Sequence, residues 1–263
     1  MTMLNVDNVS RRFGGLQATR NVCFQVNRGE IVSLIGPNGA GKTTMFNMIT
    51  GFVTPNEGEI TFDGVSVGHL KPHKIAQLGI VRSFQITNVF SGLTVRENLV
   101  TAHYLRARGS FLETMFNTSS ARARDRDVQE NVDSILTLVG LQELAEEEAR
   151  NLAYGKLRLL EIAIGLSAAP RLLLLDEPAA GLNTEESVRL VALLRHICRE
   201  LDITILLVEH DMNVVMEVSD RVVVLNFGEK IAEGTPADIR SNAAVIEAYL
   251  GGSLEVSGEA AHA

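Results

Sequence analysis

Eight residues, GPNGAGKT from Gly36 to Thr43, narrow the folds open to this chain more than any other stretch. They match the spacing G-x-x-x-x-G-K-[ST] and stand between an apolar run, EIVSLI, and a helix-like pattern that stops at Gly51. Glycines let such a loop curl until successive backbone N–H groups point inward, and the helix that follows adds partial positive charge at its start. The result is a cradle for a polyphosphate. Gly36, Pro37, Asn38, Gly39, Ala40, Gly41, Lys42, Thr43 and Thr44 are therefore candidate nucleotide-binding residues. Lys42 is expected to reach the β- and γ-phosphates, and the Thr43 hydroxyl to ligate Mg²⁺. When the loop is empty, that lysine is expected to face solvent.

A phosphate loop of this type sits at the C-terminal edge of a parallel sheet, so strands should alternate with helices elsewhere. MLNVDNV, NVCFQV and EIVSLIG read as strands, GEITFDG as a strand closed by an Asp63-Gly64 turn, PHKIAQLG as a short helix and IVRSFQ as a buried strand. From Leu93 to about Ala169 the pattern turns helical. Thr94 and Glu97 have the spacing of a capping box, and Val128, Val132, Ile135, Leu136 and Val139 share one face of a helix ending at Gly140. From Arg171 the alternation returns: RLLLLD, helix TEESVRLVALLRHICREL, strand ITILLVE, a short helix, strand RVVVLN. The expected fold is α/β with a mostly parallel sheet. Residues 1–92 and 170–250 form the two parts of its core, 93–169 an inserted helical subdomain, and 251–263 a flexible tail.

A second constellation follows the strand LLLLD. Asp176 ends it, where a carboxylate can hold Mg²⁺ through its water shell, and Glu177 comes next, placed to polarise an attacking water. His210, in LLVEHD, ends another buried strand on the same edge and can reach a γ-phosphate. Gln85 ends IVRSFQ there too, a candidate for touching Mg²⁺ or the water. Catalytic candidates are thus Lys42, Gln85, Glu177 and His210, and metal candidates Thr43, Gln85 and Asp176.

The order of phosphate loop, strand-end glutamine, helical insert, glycine motif, LLLLDEP and strand-end histidine resembles the ATP-binding cassette family of transport ATPases, over essentially the whole chain. The resemblance implies an antiparallel β subdomain at the N-terminus. It also implies ATP with Mg²⁺ as cofactors, an adenine-stacking role for Phe13 in RRFGG, and a signature motif at LAYGK. Ala153, Tyr154 and Gly155 of that motif would meet the nucleotide of a second ATPase subunit. The departures are specific: Ala153 replaces the signature serine, Tyr154 its first glycine, Lys156 its glutamine, and Asn183 the usual aspartate of the AGLN turn. A glycine at a helix start still offers N–H groups to an anion. RFGGLQA, NLAYGK, LLLLDEPAAGLN, LLVEHDM, GTPADI and AYLG together look like the ATP-binding subunits of branched-chain amino acid importers; branches serving urea or other small amides look similar.

The resemblance further implies two transmembrane permease subunits, an indirectly linked solute-binding protein and a place on the cytoplasmic face of the cell membrane. Ile86, Val89 and Phe90, apolar among loop residues, are expected to form an exposed patch for a short permease helix. A soluble cassette acting on nucleic acid is the competing class, and 32 acidic against 24 basic residues disfavour it. A GTPase switch would need a guanine-reading N-K-x-D motif, which is absent. No run approaches the ~18 apolar residues of a membrane span. Cys23 and Cys198 have neither metal nor redox spacing and read as core thiols.

Overall fold

The apolar runs become the middle of one six-stranded sheet in the computed structural model of the chain, which describes residues 1–83, 89–106 and 119–255. The chain begins with β1 (Thr2–Phe13), β2 (Leu16–Asn27) and β3 (Ile31–Ile35), then α1 (Lys42–Ile49), β4 (Glu57–Phe62), β5 (Val65–Ser66), α2 (Pro72–Leu78) and β6 (Ile80–Arg82). Three long helices follow, α3 (Val95–Arg106), α4 (Ser119–Val139) and α5 (Tyr154–Ser167). The last third supplies β7 (Leu172–Asp176), α6 (Thr184–Glu200), β8 (Thr204–Val208), α7 (Met212–Val218), β9 (Arg221–Asn226), β10 (Glu229–Gly234), α8 (Pro236–Arg240) and α9 (Ala243–Glu255).

The large sheet has the order β10-β9-β3-β8-β7-β6, parallel except for β10. Both of its faces are covered. Along β7, Leu173 and Leu175 enter one hydrophobic cluster and Leu172 and Leu174 another, and β8 divides Ile205 and Leu207 from Leu206 and Val208 in the same way. Two buried faces explain why these strands read as unbroken apolar runs. A smaller antiparallel sheet, β2-β1-β4-β5, shares the second cluster with α1 through Leu4, Phe24, Phe62 and Phe46.

The helical insert forms between β6 and β7. At its entry the Thr94 N–H donates to the Glu97 carboxylate (2.8 Å) and the Glu97 N–H to the Thr94 hydroxyl (3.1 Å), which is the expected capping box. Val128, Val132, Ile135, Leu136 and Val139 are all buried on the inner face of α4.

Four details differ from expectation. Strand β6 stops at Arg82, and Gln85, with Ile86, falls among residues 84–88 outside the described ones. Strand β10 was not legible, because Glu229, Lys230 and Glu233 break any apolar pattern; charge of this sort suits a sheet edge. Helix α9 extends to Glu255, past the boundary expected at 250, and residues 256–263 lie outside the described ones. Of the two cysteines only Cys198 is buried, and burial pushes its thiol up to about 11. Cys23 is half-buried, its sulfur accepting the Asn8 N–H. Among the described residues no helix is long and apolar enough to cross a membrane.

Candidate functional site

The site grows from the C-terminal ends of three neighbouring strands, β3, β7 and β8. After β3 the chain turns through Gly36–Gly41 into α1. Gly41 caps that helix at φ +100, and a Cβ there would stand 2.5 Å from the Ala18 carbonyl oxygen. Only glycine fits both the backbone angle and the space. The turn faces a cleft lined by Phe13, Leu16, Gln17, Asn38, Gly39, Ala40, Gly41, Lys42, Thr43, Thr44, Glu177 and His210. Arg11 lies over the Phe13 ring at 4.6 Å from its centroid.

Lys42 does not face solvent as expected. It is buried, and its ammonium donates to the carbonyls of Gly36 (2.7 Å) and Pro37 (2.9 Å). The loop carbonyls replace water around the charge, which makes burial tolerable. Burial holds its pKa below the usual lysine value, against the opposing pull of Glu177 and then Asp176. The ammonium therefore sits within the field of both carboxylates.

The acidic pair splits into two environments. Asp176 ends β7 with its side chain only 7% exposed, and its Oδ2 accepts from Arg82 at 2.5 Å. Arg82 also donates to the Asn47 side chain (2.7 Å) and lies over the Phe46 ring. This arginine was not singled out from the sequence, although a lone cation in a buried strand signals a carboxylate opposite it. Glu177 leaves the strand in the left-handed region, φ +52, held by its N–H on the Val208 carbonyl and by the Ala180 N–H on its own carbonyl. A side chain forced into that region is a functional signal when neighbours hold it there. Its carboxylate meets the imidazole Nε2 of His210 at 2.7 Å, and both groups are 43% exposed. A carboxylate and an imidazole in contact above a phosphate cradle can together accept and pass on a proton.

Ala153, Tyr154 and Gly155 do not line this cleft. They start α5, whose internal bonds begin with the Lys156 and Leu157 N–H groups on the Ala153 carbonyl. The N–H groups of Tyr154 and Gly155 stand outside that ladder. The Tyr154 ring lies so close to Gly181 that a Cβ there would come within 2.6 Å of it, and the Glu186 carboxylate lies against Gly155. Arg158 donates to the Tyr154 hydroxyl (2.8 Å) and to the buried Glu161 (2.9 Å). Asn183 and Glu186 form a capping box at the start of α6. The start of α5 thus rests on the turn that follows Glu177 in the same chain.

With this geometry in view, comparisons with known proteins agree with one another. A family model described as ABC transporter matches residues 19–180, and one described as branched-chain amino acid ATP-binding cassette transporter matches residues 229–255. The chain is 46% identical to the high-affinity branched-chain amino acid transport ATP-binding protein BraF of Pseudomonas aeruginosa, covering 95% of this chain and 98% of the relative. A solved ATP-binding cassette of an ABC transporter in its ADP conformation superposes with a TM-score of 0.83 at 30% identity, covering 95% of this chain and 99% of that one. A dimeric cassette in a post-hydrolysis state, bound to ADP and Pi, superposes with a TM-score of 0.74 at 26% identity, covering 89% and 99%.

Proposed function

Because this chain belongs to the ABC transporter family, we propose that it is the ATP-binding and ATP-hydrolysing subunit of a branched-chain amino acid importer. The observation that carries the chemistry is the contact between Glu177 and His210, made beside the buried ammonium of Lys42 on one cleft. The solute class rests on likeness to transport subunits of that class and on the second family match, at the C-terminal end of the chain.

In this reading Phe13 stacks on adenine, the Gly36–Thr44 segment wraps the phosphates, and Lys42 turns from the loop carbonyls to the β- and γ-phosphates. Oxygen donors at Thr43 and Asp176, beside a polyphosphate, suit a hard divalent ion that keeps several waters, such as Mg²⁺. The Asp176 carboxylate, with Oδ2 on Arg82, keeps Oδ1 for that duty. Bound Mg²⁺ would neutralise charge developing on the phosphates. Glu177 accepts the proton of the attacking water, and His210 holds Glu177 and reaches toward the γ-phosphate. Gln85 is assigned to Mg²⁺ or the water from the sequence alone. Ala153, Tyr154 and Gly155 meet the nucleotide held by a second ATPase subunit, offering helix-start N–H groups in place of a serine hydroxyl. Two transmembrane permease subunits from other chains bind this subunit at the cytoplasmic face of the membrane, and a solute-binding protein supplies them.

The deciding experiment measures ATP hydrolysis by the chain assembled with its permeases in vesicles. Hydrolysis should rise when the solute-binding protein carries leucine, isoleucine or valine. Stimulation by urea or a small amide instead would overturn the solute class while leaving the ATPase assignment standing.

A further inference from the structure

The carboxylate of Glu209 is one of the most enclosed charged groups in the described chain, at 2% exposure, and among the described residues its three hydrogen bonds all come from backbone. Its Oε1 accepts the Ala179 N–H at 2.7 Å. Its Oε2 accepts the His210 N–H at 2.8 Å and the Asp211 N–H at 3.2 Å. Ala179 belongs to the turn that leaves β7 through Glu177; His210 and Asp211 begin the turn that leaves β8. One carboxylate therefore spans the two turns that bring Glu177 and His210 into contact.

Resting on the ATPase reading above, we propose that Glu209 is a positioning residue for hydrolysis, setting the distance between Glu177 and His210 by holding both of their turns. Parallel pairing aligns the strand ends only as far as Asp176 beside Val208. Beyond those residues no ladder continues: the Glu177 N–H on the Val208 carbonyl and the Ala180 N–H on the Glu177 carbonyl hold the left-handed Glu177 backbone, and the Glu209 carboxylate adds the bond that ties the rest of its turn to the turn carrying His210. A carboxylate suits the task because both oxygens are pure acceptors facing N–H donors from opposite sides. Glutamine has the same shape, but its NH₂ must point at donors on one side or the other. Aspartate is one methylene short of reaching both turns.

The same reasoning separates Glu209 from a residue that merely supports the fold. In the ATPase reading nucleotide binding rests on the Gly36–Thr44 segment, and among the described residues the hydrogen bonds of Glu209 go to Ala179, His210 and Asp211 instead. Loss of Glu209 should therefore slow turnover and leave affinity for Mg-ATP nearly unchanged.

The test uses the full chain with Glu209→Gln and Glu209→Asp, alone and combined with Glu177→Gln. Steady-state hydrolysis, Mg-ATP affinity by a fluorescent nucleotide, and thermal melting are read on each. We expect kcat to fall by about 10- to 100-fold in both single variants, the scale of a misplaced catalytic group, with affinity within about threefold of wild type. Added to Glu177→Gln, either change should cost little more, because both act on one step. Independent losses that multiply in the double variants would overturn the proposal. So would unchanged kcat with a lowered melting temperature, or kcat and affinity falling together. If Glu209→Gln melts too low to assay, the same split in Glu209→Asp decides. Absence of hydrolysis in the wild-type chain would count against the ATPase reading itself.

Discussion

At the scale of single residues, the site is organised by where charge is buried. Lys42→Ala removes the cation facing the phosphates and should weaken ATP binding by about 10- to 100-fold, the worth of a charge-assisted hydrogen bond. It also takes the ammonium donor from the Gly36 carbonyl and leaves the Pro37 carbonyl with the Ala40 N–H alone, so the urea midpoint should drop as well; an unchanged affinity would remove Lys42 from the site. Glu177→Gln should keep Mg-ATP bound and slow hydrolysis by about 10²- to 10⁴-fold, as for loss of a general base. Single-turnover chemistry at the wild-type rate would exclude that role. Arg82→Met strands the Asp176 carboxylate and should cost about 3 kcal/mol of stability in denaturant unfolding, as when one partner of a buried pair is removed. A loss within the error of measurement would mean that the pair contributes nothing to the fold.

At the scale of elements, the α5 start and the turn before α6 behave as one unit, since Tyr154 rests on Gly181 and Glu186 on Gly155. Asn183 begins α6 with both arms of its capping box in place, so Asn183→Ala should cost about 1 kcal/mol. The Glu186 backbone N–H loses its acceptor in that variant, and because the Glu186 side chain lies against Gly155, fraying of this first turn should also loosen ATP-driven pairing of two cassettes, read by sizing chromatography in the Glu177→Gln background. Pairing at the parent concentration would show the cap to be local. Elements of this kind were partly legible. Phosphate loop, buried strands and Thr94–Glu97 cap carry local signals, so they appear in the sequence where the structure puts them. Arg82, Glu209 and the Tyr154–Gly181 contact do not, because each depends on which strand or turn lies beside it. Strand β10 escaped for a further reason: an edge strand needs only one apolar face, and Ala232 is its one buried residue.

At the scale of the whole molecule, the proposed function calls for neighbours. The patch expected for a permease helix has resolved into parts: Val89 is half-buried and packs against the core, Ile86 lies outside the described residues, and Phe90 is 51% exposed. Asn98, itself buried, holds the Phe90 backbone from both sides, taking its N–H at 3.0 Å and donating to its carbonyl at 3.1 Å. The ring is thereby presented outward on a fixed frame. Phe90→Asp should leave hydrolysis by the isolated chain unchanged and reduce recovery of the chain with permease in membranes; equal recovery would sink the docking assignment. The strand order carries one more consequence, for the time at which the protein becomes itself during synthesis. Ile31 pairs with Ile205 and Ile35 with Val224, so β3 has no partner on either side until nearly the whole chain has left the ribosome. Such distant closures are slow. The phosphate loop hangs on β3 and must wait with it, whereas the helices between residues 93 and 169 pack on near neighbours and can settle first. A nascent chain halted at residue 200 should therefore protect those helices from protease and hold no ATP.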